Sequence, residues 1–182
     1  MQVKAMHARI FTLMVKFDTF QTCRTKKGMP TMTAPLLPYA LPQTLAADLV
    51  RVKDYWSGLL RGSARMPFAD DLSLEALPDL APRLALIEVF TLPERFRFSY
   101  IGEDIAASQS KPLADKFLDE IDLPFPFEFL RSQASAAVES GTPTCHSQPA
   151  NAVGTQPAYN RLVLPLWGDG HTSLLLVAVD QD

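Results

Sequence analysis

Cysteine is scarce in this chain: there are two among 182 residues, Cys23 and Cys145, far apart and without a C-x-x-C or a histidine at ligand spacing. That argues against a disulfide framework and against a zinc site, and makes a reducing cytoplasm the expected setting. Glycine is also sparse, eight residues against fifteen prolines, so the connections should be stiff and proline-punctuated. The prolines gather at 30–42, 124–126 and 143–157, which are the expected element boundaries. No apolar run approaches the ~18 residues of a membrane span. Lysines, a histidine and an aspartate interrupt the N-terminal apolar stretch, which makes it a poor secretory signal. There is no G-x-G-x-x-G and no phosphate loop, which removes the nucleotide-driven effector classes.

What is present divides by charge. Residues 1–32 hold six bases and one acid, and the remaining 150 hold eleven bases and nineteen acids. The body therefore has no electrostatic reason to bind nucleic acid. The segment 1–42 reads as a basic extension and proline-rich linker without stable order. Its first 32 residues read as dispensable, of the kind an upstream start codon adds. A sharper reading makes them a basic amphipathic anchor for a membrane surface or a partner.

The body, 43–182, begins with 43-QTLAADLVRVKDYWSGLLRG-62. Leu45, Leu49, Val52, Trp56 and Leu59 recur there at steps of four and three, giving a helix with one apolar face and Gly62 as its stop. That stripe packs on its own domain or forms a seam with a second copy, which is the basis for expecting a homodimer. Asp70 or Asp71 is placed to cap a short turn in the loop that follows. Residues 84–90 and 95–101 read as a hairpin, and 142–150, 159–167 and 172–180 as three further strands, the last two joined by Gly168-Asp169-Gly170. Between them, Glu103 to Lys111, Asp115 to Ile121 and 125–141 read as helices. The order is β-β-α-α-α-β-β-β within a core at 84–180. It implies an α+β fold, a five-stranded antiparallel sheet with the helices on one face.

Several motifs occur in a definite order: Trp56, Arg61-Gly62, Arg65-Met66-Pro67, Asp71-Leu72, Leu86-Ile87-Glu88-Val89, Arg95-Phe96-Arg97-Phe98, Ile101-Gly102, then Leu162 and Leu164-Pro165-Leu166. In this the chain resembles a bacterial family of PAS-like sensor domains that begin with a tryptophan-bearing helix, over residues about 48–180. The resemblance implies a PAS fold, a cytoplasmic location, and a role in sensing a small ligand or contacting a signalling protein. Phe68, Ala69, Ser73, Leu74, Ser99 and Glu103 depart from the family's pattern. The changes at Ser99 and Glu103 take a guanidinium and a hydroxyl away from the sheet, which puts a shared polar ligand in doubt.

Bond-making chemistry finds no constellation. Cys145 and His146 are adjacent on a strand and so point to opposite faces. His171 reads as a turn residue, and Glu88 as an acid facing solvent from an edge strand. A histidine for haem is missing from 125–141 and a cysteine for flavin from 102–121, so no cofactor is expected. Strand alternation places Phe96, Phe98 and Tyr100 on one face. With Phe117, Phe127, Leu130, Ala134, Tyr159 and Leu162 they are the expected lining of an apolar cavity or, equally, a dry core. The sequence therefore reads as a non-catalytic module that binds a small apolar ligand or an unidentified signalling protein. An alternative is a small cone-shaped α+β enzyme or carrier for an apolar metabolite, using Glu88, His146 and Tyr159.

Overall fold

The computed structural model describes residues 39–181, apart from 152, 153 and 155. Most of the segment 1–42, including every reading made on residues 1–32, lies outside these residues.

Five strands form one antiparallel sheet: β1 (Leu84–Thr91), β2 (Glu94–Ile101), β3 (Thr144–Gln148), β4 (Tyr159–Gly168) and β5 (His171–Gln181). Their spatial order is β2-β1-β5-β4-β3. The chain is thus α+β, with the antiparallel sheet and few helices that a PAS-like fold requires. The β4–β5 hairpin turns on Asp169 and Gly170, at φ 51° and 83°, the left-handed pair that a two-residue hairpin needs.

The two faces of the sheet carry separate cores. On the inner face, Ala85, Ile87, Val89, Phe96, Phe98, Val163, Leu175, Val177 and Val179 pack with Phe127, Leu130, Ala134 and Ala137. On the outer face, Leu84, Leu162, Leu164, Leu166, Leu176 and Ala178 pack with Leu49, Val52 and Trp56. Both faces of β4 and β5 are therefore covered, and their sequences run as near-continuous apolar stretches for that reason.

The helices differ from the sequence expectation in extent and, at one segment, in kind. Helix α1 spans Ala47–Gly58, shorter than 43–62, because its last turn closes through Leu59 and Leu60 N–H groups on the Trp56 and Ser57 carbonyls. It lies on the outer face, while the helices that follow the first hairpin bury Ile105, Leu130, Ala134 and Ala137 together on the inner face, as the fold class requires. Helix α2 is Glu103–Ser108. Asp115 to Ile121 is not helical: Asp115 sits at φ 59°, and the segment instead bonds to the free edge of β2. Asp115 N–H donates to Phe98 O at 2.8 Å, Phe98 N–H to Lys116 O at 3.0 Å, and Leu118 N–H to Phe96 O at 2.9 Å. Helix α3 is Leu130–Ser140 and begins five residues later than expected. Pro126 and the left-handed Phe129 at φ 58° do not fit a helical turn.

One irregularity in β2 changes which way its side chains point. Leu86 pairs with Tyr100, but Ile87 pairs with Phe98, so Ser99 is an extra residue, a β-bulge that shifts the alternation by one. Tyr100 consequently shares the outer face with Leu86, its hydroxyl 3.4 Å from Ala81 O. Ile101 turns inward against the inner core.

Candidate functional site

Of the nine expected lining residues, the structure brings five together. Phe96, Phe98, Phe127, Leu130 and Ala134 lie in one inner cluster, each no more than 1% exposed, with the Phe98 and Phe127 rings 5.3 Å apart. Leu162 belongs to the outer core, since even-numbered residues of β4 face away from Tyr159. Tyr100 is outside for the reason given above. Phe117 is half-buried on the outer side, where Arg95 stacks 3.7 Å from its ring centre. Tyr159 is inward and buried, but it belongs to a polar group rather than to the apolar cluster.

That polar group lies at the β3–β4 end of the inner face. His146 and Arg161 are cross-strand partners. Arg161 is fully buried and donates from Nε to Gln133 Oε1 at 2.8 Å, from Nη1 to Pro126 O at 2.5 Å, and from Nη2 to Glu128 O at 2.9 Å. Gln133, also fully buried, returns a bond from Nε2 to Arg161 O at 3.2 Å. A guanidinium's planar fork suits three acceptors on one loop and one helix, which is why arginine rather than lysine can pin the bend before α3. Burial pulls the Arg161 pKa down, and the hydrogen bonds offset part of that desolvation cost.

Around this cation stand His146, Tyr159, Glu128 and Tyr39. The Tyr159 hydroxyl donates to Glu128 Oε2 at 3.3 Å, and burial pushes its pKa up to about 12, so the phenol stays neutral. The His146 ring lies 5.8 Å from Tyr39, 6.0 Å from Phe129 and 5.8 Å from Tyr159. Its Nε2 is buried without a hydrogen-bond partner. Burial, then the Arg161 charge, lowers the His146 pKa, and Glu128 opposes them. Sequence reasoning missed Arg161, Gln133, Glu128 and Tyr39. Arg161 had a visible signal: it is two residues from Tyr159 on the same strand, so both face one way.

The trio proposed for an enzyme does not assemble. His146 and Tyr159 meet, but Glu88 lies on the outer face beside Arg97. Strand β1 is interior to the sheet, so Glu88 is not on an edge; it is half-exposed because the outer face of β1 and β2 lies beyond the α1 packing. Cys145 fills space in the outer core, and burial raises its thiol pKa. His171 begins β5, with Nδ1 3.2 Å from Asp169 O. Asp71 binds Arg61 rather than capping a turn. Among the described residues, no group of three or more His, Cys, Asp or Glu side chains is placed to hold a metal ion, and no helix is long and apolar enough to cross a membrane.

The stripe Leu45, Leu49, Val52, Trp56 and Leu59 is occupied within the chain. Leu49, Val52 and Trp56 are buried in the outer core and Leu45 packs against it; Leu59 is half-buried at the end of the helix. Trp56 Nε1 donates to Pro165 O at 2.8 Å. The seam is therefore filled by β4 and β5.

Among the described residues, what stays uncovered is the outer face of β1 and β2 at the Glu88–Phe90 end, away from Leu84 and Leu86. Phe90 is 38% exposed; its ring is 5.5 Å from that of Phe117 and 5.3 Å from the Arg97 guanidinium carbon. Arg97 binds Glu88, and Arg95 binds Asp119 and Glu120. This is what the alternating 95-RFRF-98 builds: phenylalanines into the core, arginines stacked on aromatic rings outside. A shallow groove of about 530 Å³ adjoins it, lined by Glu88, Phe90, Ala69, Asp169 and His171 among others.

No family model and no curated protein matches the chain. Among solved structures it is similar to a sensory box sensor histidine kinase from Vibrio cholerae, at 17% identity and a TM-score of 0.42, over 60% of this chain and 88% of that one. So distant a likeness transfers neither ligand nor activity.

Proposed function

We infer that this chain is a non-catalytic, PAS-like sensory or interaction module whose output passes through protein contact at the outer face of β1 and β2. The observation that carries this reading is the arginine–aromatic platform of Phe90, Phe117, Arg95 and Arg97, because arginine and aromatic side chains dominate the energetic centres of protein interfaces. The competing locations are taken up: α1 lies over β4 and β5, and the inner lining residues are packed on one another.

The occupant that fits is a second copy of this chain. A two-fold interface must be complementary to itself, and this patch interleaves Arg95 and Arg97 with Glu88, Asp119 and Glu120. The test is sedimentation velocity over a concentration series for the wild type, Arg97→Glu and Phe90→Ser. The expected result is a wild-type dimer that both substitutions weaken at least tenfold. A wild type that stays monomeric throughout overturns self-association, and if that monomer captures a different protein through the same face, the partner is a foreign one.

A further inference from the structure

We propose that His146 is a proton-operated latch for the β3 edge: its neutral ring holds Tyr39 against that edge, and protonation expels the ring, frees Tyr39 and leaves β3 unpaired.

The closed arrangement rests on three contacts. The Cys145 N–H points out from β3 and donates to Tyr39 O at 2.9 Å, so the backbone of Tyr39 caps the edge strand. The Tyr39 ring meets the His146 ring edge-on at 5.8 Å. Its hydroxyl lies 2.6 Å from Ser132 Oγ; Ser132 donates its own proton to Phe129 O at 2.8 Å, so Tyr39 is the donor. An edge capped by one short segment is easily reopened, since one backbone bond, one hydroxyl bond and one ring contact hold it.

The imidazole is the weak member of this assembly. Its Nε2 is buried with no partner, an unmade hydrogen bond that already costs the closed state something. A proton added there creates a second cation beside Arg161, which occupies the cross-strand position and is itself fully buried. The charged and titratable groups facing His146 are Tyr39 from the edge segment, Glu128 from the loop before α3, and Tyr159 and Arg161 from β4. Only Glu128 attracts an imidazolium, and its carboxylate already accepts from Tyr159. The remaining walls are the rings of Tyr39, Phe129 and Tyr159, and none of them accepts a hydrogen bond as well as water does.

The sign follows from linkage. The His146 pKa is lowered in the closed state, so the open state binds the proton more tightly. Closure is complete above the ordinary histidine value of about 6.5 and weakens as pH falls below it.

The experiment is amide hydrogen exchange on the full chain at about pH 7.5 and about pH 5, corrected for intrinsic rates. The expected result is loss of Cys145 amide protection by up to about tenfold per pH unit in the acid range, while Val177 in the sheet centre keeps its protection. His146→Phe retains a ring without the proton, and its Cys145 protection should be flat with pH. A wild-type Cys145 amide equally protected at both pH values overturns the proposal, and so does a His146→Phe variant with the wild-type slope. Should His146→Phe fail to fold, titration of the wild-type His146 ring by NMR decides: protonation must move the Tyr39 ring resonances in step, and independence of the two overturns the latch.

Discussion

At the scale of single residues, Gly102 is fixed by its neighbours. An added Cβ would stand 2.3 Å from Pro82 O and 2.4 Å from Ala81 O, both backbone atoms that cannot rotate away. Gly102→Ala should therefore destabilise by about 1–3 kcal/mol, the range for overpacking a filled site, measured as a shift of the urea midpoint at unchanged slope. Arg161→Lys offers a second test, since one ammonium cannot reach Gln133, Pro126 O and Glu128 O together. It should cost about 1–3 kcal/mol for the acceptors left unpaired, again by urea denaturation. Residue-level reading of the sequence succeeded where alternation was undisturbed, as for Phe96 and Phe98. It failed at Tyr100 because a bulge leaves no trace in a composition that favours aromatics everywhere. Placing Tyr159 and Leu162 in one lining ignored parity, which was legible: residues three apart on a strand face opposite ways.

At the scale of elements, α1 shows that an amphipathic stripe reveals that a helix is buried but not against what. Leu49, Val52 and Trp56 would look the same facing a second copy as facing β4 and β5. Trp56→Ala should lower stability by about 3–5 kcal/mol without changing the assembly state of whatever remains folded, which sedimentation at low urea can separate. The segment after α2 shows a different limit. Asp115 to Ile121 has helical spacing, but Pro112 before it and the open edge of β2 beside it favoured a path in which its backbone groups bond across to Phe96 and Phe98. Tertiary pairing of this kind outweighs local propensity, and no short window of sequence contains it.

At the scale of the whole molecule, both edges of the sheet carry partners: residues 115–118 on β2 and Tyr39 on β3. Closed edges suppress indiscriminate strand pairing, so association should proceed through side chains on the β1–β2 face. Salt is the discriminating variable, because contacts built on Arg95, Arg97, Glu88, Asp119 and Glu120 are screened over about 8 Å at physiological ionic strength. A dimer formed through this face should weaken as salt rises toward about 1 M, read by sedimentation, whereas an interface made by an apolar stripe would hold or tighten. The α+β class and the strand order along the chain were legible in hydrophobic periodicity and in the glycines at 168 and 170. The polar group around Arg161 was not, since its members come from 39, 128, 133, 146, 159 and 161, and only the folded sheet makes them neighbours.

The spare residue at Ser99 gives β2 two different parities along its length. Trimming it would leave Phe98 opposite Ile87 and Tyr100 opposite Leu86 in an uninterrupted ladder, so every side chain between that point and α2 would keep the face it has. The costly deletion lies inside the regular pairing: without Arg97, Phe96 and Phe98 become neighbours, and a regular ladder keeps only one of them inside. Loss of Ser99 should therefore be tolerated far better than loss of Arg97, because only the first is a link the pleat does not count.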